Sequence, residues 1–153
     1  MKETTLCYIE QNDSYLMLLR NKKKIDMNKG KWIGVGGKLE IGETIEECLL
    51  REVYEETGLT LKNYNYRGKI LFISDEWDSE IMHLYTADDF EGSLIECLEG
   101  ELRWIPKDKI MDLNLWEGDR AFMKMLMEDE PYFEMKLVYQ GDKLCEIEIN
   151  NLN

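Results

Sequence analysis

Residues 37–59 read GKLEIGETIEECLLREVYEETGL, and the rest of the chain is best read outward from them. Thr44 followed by Glu47 matches the capping box, in which a hydroxyl and a carboxylate reciprocally satisfy free backbone amides. A helix is therefore expected to start at Thr44. It is expected to end at Thr57, with Gly58 placed to take the left-handed conformation that closes a helix. At roughly 100° per residue, Ile45, Cys48 and Leu49 form an apolar stripe. Glu52, Glu55 and Glu56 continue that stripe toward the C-terminal end, while Glu46 and Glu47 point elsewhere.

The common explanation of such a charge run is a solvated face. The geometry argues against it, because three carboxylates stand where burial is expected, repelling one another and losing hydration. They also sit at the end of the helix where its dipole disfavours negative charge. Divalent cations would neutralise the arrangement, and oxygen ligands without His or Cys point to Mg²⁺ or Mn²⁺ rather than Zn²⁺. Gly36-Gly37, just upstream, can supply a carbonyl oxygen or let a phosphate come close. Metals that polarise a phosphoryl oxygen and activate water predict phosphoanhydride hydrolysis.

Composition narrows the alternatives. With 153 residues, 44% apolar and 33% charged, the chain is expected to form a single soluble domain over residues 1–153. Acids outnumber bases 32 to 19, a net charge of −13, which argues against a basic surface for polymeric nucleic acid. The one histidine, His83, lies among apolar strand residues and is expected to be structural. Cys7, Cys48, Cys97 and Cys145 contain no C-x-x-C pair, so reduced thiols are expected and a zinc site is not. The N-terminus lacks the layout of a signal peptide, and no apolar run approaches the ~18 residues of a membrane span. A cytoplasmic protein with no membrane partner is the expectation; monomer and homodimer both stay open.

Thr4 to Glu10 and Tyr15 to Leu19 read as adjacent strands around the turn Gln11 to Ser14. A basic loop, Asn21 to Lys31, leads into the glycine-rich Trp32 to Gly37. Further strands are expected at Lys69 to Ser74, Ile81 to Thr86 and Leu102 to Ile105, a short helical turn from Pro106, and a second helix from about Asp119 to Met127. The C-terminus reads as a hairpin, Tyr132 to Tyr139 and Lys143 to Ile149, turning at Gln140-Gly141-Asp142.

Gly37, Glu43, Arg51-Glu52, Val53, Glu55-Glu56, Gly58 and Leu59 match every fixed position of the Nudix box, G-x5-E-x7-R-E-U-x-E-E-x-G-U. So many fixed positions over 23 residues make the resemblance specific. It implies an α+β fold, the Nudix α/β/α sandwich with a mixed sheet and two main helices. It also implies Mg²⁺-dependent hydrolysis, with Glu52, Glu55 and Glu56 as metal ligands and the Gly37 carbonyl a further candidate. Glu43, Arg51 and Gly58 would be structural within the motif. Residues 31–40, 116–119 and 139–144 extend the likeness to MutT-type 8-oxo-dGTP diphosphatases of Gram-positive bacteria and, in layout, to the mammalian oxidised-purine triphosphatases.

That likeness implies release of a nucleoside monophosphate and pyrophosphate, removing oxidised dGTP before it enters DNA. Trp116 would stack on the purine and Asp119 would bond its edge, the alternatives being a core tryptophan and a helix N-cap. Glu99 would be the additional metal-binding or water-activating carboxylate, with Glu96 and Glu101 as competitors. Lys22 or Lys23 would pair with the triphosphate or line the base pocket, the alternative being a solvated basic loop. Gly36, Gly37 and Lys38 are further substrate-binding candidates, and Phe72 and Met27 would line the nucleoside pocket, the alternative being ordinary packing. Ile33 stands where the mammalian enzymes have a base-reading asparagine, and Gly118-Asp119 where they have two aspartates, so base selectivity does not carry over intact. Ordinary dNTPs, ADP-ribose and dinucleoside polyphosphates remain alternative substrates. A non-catalytic binding module would lack box glutamates, and here none is missing.

Overall fold

A computed structural model describes residues 1–151. The first two strands, β1 (Lys2–Gln11) and β2 (Ser14–Arg20), meet antiparallel around Asn12 and Asp13, both at positive φ. Asn and Asp tolerate this conformation, which suits a tight two-residue turn. The pairing covers only the turn, Glu10 with Tyr15 and Gln11 with Ser14. Beyond it, β1 leaves its hairpin partner and pairs parallel with a strand from the middle of the chain.

That strand is β5 (Glu80–Glu91), which also pairs antiparallel with β4 (Thr60–Ser74). The short β3 (Trp32–Ile33) and β6 (Gly100–Pro106) both pair with β2, and β7 (Phe133–Gln140) joins β4 in parallel and β8 (Lys143–Asn151) antiparallel. The order β3-β2-β1-β5-β4-β7-β8 makes a mixed sheet. Two helices, α1 (Ile45–Thr57) and α2 (Glu117–Met127), complete the α+β fold, with a 3-10 turn over Lys107–Asp112 following Pro106 as expected.

Strand alternation puts the helices on opposite faces. Thr5 on β1 touches Cys48 of α1, its Oγ1 3.5 Å from the thiol, whereas Tyr8 packs its ring on Phe122 of α2. Cys48, Leu49 and Val53 are fully buried under α1, each apolar side chain contributing on the order of 1.5–3 kcal/mol. The expected sandwich is therefore present. All four cysteines are free thiols, and no described helix is long and apolar enough to cross a membrane.

Three element boundaries differ from the sequence expectation. Helix α2 begins at Glu117 with Trp116 as its N-cap residue, which gives no side-chain cap bond. Asp119 is thus inside the first turn and is not an N-cap. β4 starts nine residues before Lys69, because its polar first half, Asn63 to Asn65, still pairs with β5 across bulges. Trp32-Ile33 forms a strand, held on β2 opposite Leu18 and Leu19.

Candidate active site

The capping box at Thr44 and Glu47 is formed, and Gly58 closes α1 at φ 81°. Gly58 does more than end the helix. A side chain there would meet the Ser93 carbonyl at 2.6 Å, and Ile95 N–H donates to Thr57 O at 3.0 Å. These contacts tie the loop carrying Glu96, Cys97 and Glu99 to the end of α1. At the other end, Arg51 reaches back along the helix. Its Nε donates to Glu43 Oε2 at 2.6 Å, and its Nη2 to Glu43 Oε1 at 2.8 Å and to Lys38 O at 3.2 Å. This two-pronged clamp fixes the loop before α1. Arg51, with the Glu40 N–H, holds the Glu43 carboxyl down at about 2.

The box carboxylates are not equivalent. Glu56 is buried, and its Oε1 accepts the Gly36 N–H at 2.8 Å. Glu52 is half-buried, pairs with Arg51 at 2.8 Å, and packs its carboxyl so tightly on Gly37 that any side chain there would collide with it. Glu55 lies at the solvent edge, its side chain 57% exposed, 3.3 Å from Arg51. Glu99 comes over from the neighbouring loop to lie beside Glu56, with Lys23 Nζ 3.0 Å and Arg20 Nη1 3.4 Å away.

Burial pushes Glu56 up, and its bond with Glu99 adds to the effect. Burial also opposes ionisation of Glu99, but the bond from Glu56 and the charges of Lys23 and Arg20 outweigh it and hold Glu99 low. Glu56 and Glu99 are thus pushed in opposite directions, as adjacent carboxyls are when both do not readily ionise. Burial raises Glu52 too, against the opposing pull of Arg51.

The donor chemistry, four carboxylates and backbone carbonyls, fits a hard divalent cation. Among the described residues no three of these groups are gathered at ion-holding distances, since Arg51 draws Glu52 and Glu55 while the Gly36 amide holds Glu56. The Gly37 carbonyl faces β1, accepting from Thr5 N–H at 2.8 Å and from the Cys48 thiol at 3.4 Å. The Gly36 carbonyl has no such bond among the described residues.

Beside this ridge lies a cavity of about 390 Å³. Glu52, Gly36, Gly37, Lys38, Glu99 and Lys23 line one part; Phe72, Trp116, Asp119 and Met27 line another. Glu55 and Glu56 are not on its wall, and Lys22 is turned away, its Nζ donating to Cys97 O at 2.7 Å and pairing with Glu96. Trp116 is both wall and packing. It is 5% exposed, edge-on to Phe72 and Tyr139, with its Nε1–H donating to Asn28 Oδ1 at 2.8 Å and Lys31 Nζ 4.8 Å over the ring. Asp119 is buried without a hydrogen-bond partner among the described residues, and burial raises it to about 7 against the charge of Lys31. His83 is buried away from the cavity between Glu3 and Tyr66, each 2.8 Å from a ring nitrogen.

Sequence reasoning missed Arg20, Asn28, Met82 and Glu80, all on the cavity wall. Arg20 could have been suspected as the basic residue ending β2 before the lysine loop. Glu80 carries no local signal, since only strand pairing brings it here.

The NUDIX domain matches residues 2–126. This chain belongs to the Nudix family. An oxidized purine nucleoside triphosphate hydrolase of Danio rerio is 33% identical over 137 residues, spanning 86% of this chain and 88% of its own. An uncharacterized Nudix hydrolase of Bacillus subtilis is 28% identical over 135 residues, 85% and 82% of the two chains. Among solved structures, the MutT mutator protein of Bacillus halodurans aligns with a TM-score of 0.87 at 28% identity over 97% of both chains. The protein is thus a Nudix hydrolase with the MutT-type fold, from a family that acts on small nucleotides and generally uses divalent metal ions.

Proposed function

We propose that residues 1–153 form a single-domain, Mg²⁺-dependent nucleoside triphosphate pyrophosphohydrolase that prefers 8-oxo-dGTP, releasing 8-oxo-dGMP and pyrophosphate. The observation that carries this reading is the single cavity running from the carboxylate ridge at Glu52 and Glu99 to Trp116 and Asp119. A triphosphate and its base can lie along one continuous surface. The similarity to a hydrolase named for oxidised purine nucleoside triphosphates supports the same substrate class.

Glu52, Glu55, Glu56 and Glu99 would hold Mg²⁺, with Mn²⁺ as a substitute. The backbone donor would be the Gly36 carbonyl instead of Gly37, whose carbonyl is already committed to Thr5 and Cys48. The bound ions would offset phosphate charge and make water a better nucleophile. The protein's own groups do the rest. Lys23, Arg20 and Lys38 would face the phosphates from the cavity wall, and Glu99, on the same wall, would take the proton of the attacking water. Trp116 and Phe72 bind the base, and Asp119 reads its edge.

Clearing oxidised nucleotides from the precursor pool would be a cytoplasmic, mutation-avoiding role, with no need for polymeric nucleic acid. The test is incubation with Mg²⁺ and 8-oxo-dGTP, dGTP, dATP, ADP-ribose or diadenosine tetraphosphate, with products identified chromatographically. Fastest turnover of 8-oxo-dGTP to the monophosphate is expected. Preference for ADP-ribose, or no turnover of any substrate, overturns the reading.

A further inference from the structure

Glu80 is a second carboxyl in the cavity that none of the proposed chemistry uses. It starts β5, and alternation along that strand puts it on the same face as Met82, another wall residue. Across the sheet it stands opposite Phe72 on β4 and Lys2 on β1. Phe72 in turn meets the edge of Trp116, their ring centres 6.0 Å apart. Glu80 therefore belongs to the aromatic part of the cavity, away from Glu52 and Glu99.

Its burial is unusual for an acid. Glu80 is 4% exposed and Asp119 is 7% exposed, and acids are almost never so buried unless paired. Among the described residues neither forms a salt bridge. Glu80 has the Thr4 hydroxyl and the more distant Lys2 charge beside it, and burial prevails over both to push its carboxyl up. Asp119 has no hydrogen-bond partner among the described residues, and the charge of Glu80 adds to the rise that burial imposes on it. An apolar residue at position 80 would line the wall at far smaller cost than an acid.

We propose that Glu80 is a specificity-determining residue that acts beside Asp119 to select a purine edge carrying two adjacent N–H donors. This rests on the nucleotide reading above. Two buried like charges do not both ionise, so the pair offers several acceptor oxygens, and among the described residues neither acid is held in a salt bridge. A guanine-type edge presents a ring N–H next to an exocyclic amino group and can satisfy both carboxyls. A hypoxanthine edge has lost the amino group and leaves one carboxyl oxygen unpaired. Sites built to bond a substrate N–H reject the analogue lacking it, because the buried acceptor is then stranded.

The test compares dGTP with dITP, which differ only in that amino group, in the full-length protein with Mg²⁺. Wild type is expected to favour dGTP by about tenfold or more, through KM. Glu80→Gln, which keeps the size but sets an amide donor against the base, is expected to bring the dGTP and dITP values of KM within about threefold of each other. Intrinsic tryptophan fluorescence titrations with dGMP and dIMP should show the same loss of discrimination without turnover.

Wild-type turnover with equal KM values for the two substrates overturns the inference. So does a Glu80→Gln protein that keeps the wild-type ratio, or that loses both substrates equally together with thermal stability. In each of those cases the hydrolase reading stands. A wild-type protein that hydrolyses no nucleoside triphosphate overturns both.

Discussion

Asp119 offers a direct thermodynamic test of the cavity's character. Its carboxyl is buried at the first turn of α2, with Lys31 as the countering cation and Glu80 as a further acid, and burial raises it from 3.8 to about 7. The folded protein therefore binds a proton there that the unfolded chain has already released between those two values. Stability linked to this group is fully present below pH 4 and is lost as pH rises through 7. A gap of roughly three pH units at ~1.4 kcal/mol each sets an upper limit of about 4 kcal/mol. Relaxation toward Lys31 would reduce this to about 1–3 kcal/mol.

Asp119→Asn replaces the carboxyl with a neutral group of the same shape and removes the linkage. Urea unfolding of both proteins at pH 4, 6 and 8.5 is the assay, with the slope against denaturant checked for constancy. The variant should match wild type near pH 4 and become progressively the more stable of the two at pH 8.5. A difference that stays flat with pH, or has the opposite sign at high pH, would refute the assignment of Asp119 as a buried, uncompensated acid.

Three further outcomes follow from the ridge. Glu56→Gln should lower kcat by about 100-fold or more with little change in thermal midpoint, since the amide can still accept the Gly36 N–H; near-wild-type turnover would remove Glu56 from the reaction. Gly37→Ala should cost about tenfold to 100-fold in kcat/KM by forcing the Glu52 carboxyl aside, and an unaffected variant would show that the tight Gly37–Glu52 contact is unimportant. Mg²⁺ should raise the thermal midpoint and EDTA should reverse it, with stabilisation of about 2.7 kcal/mol at 100-fold saturation. Identical melting curves with and without Mg²⁺ would contradict a metal bound in the folded state.

The parts of this molecule that are legible in its sequence are those set by neighbours along the chain. The capping box, the terminal glycine and the 3.6-residue stripe placed α1, and with it Glu52 and Glu56. Glu55 shows the limit of such reasoning, because one step around the helix is enough to move a carboxylate from the ridge to solvent. Lys22 and Lys23 show it again: consecutive residues in one loop face opposite ways, and nothing local says which enters the cavity. Helix α2 begins two residues before the expected Asp119 because its N-cap residue, Trp116, offers no side-chain cap that a sequence would reveal. Glu80 was invisible for a different reason. Its position depends on a parallel pairing between strands nearly eighty residues apart, Lys2 beside Glu80, and parallel register leaves no turn signal in the sequence.

The shared cavity has a consequence for where the substrate is cut. Its two ends stand on different supports: Glu52 on a helix clamped by Arg51 and Glu43, Trp116 at the start of another helix and fastened to Asn28. Both supports are tied down by these bonds, so on the proposed reading the span between Trp116 and the carboxylate ridge would act as a ruler. On the proposed nucleotide reading it would measure off a fixed number of bonds from the ring and present the same phosphoanhydride each time, whichever base is bound. Changes at Glu80 or Asp119 would then alter which nucleotide is taken, while the bond that is broken stays the same.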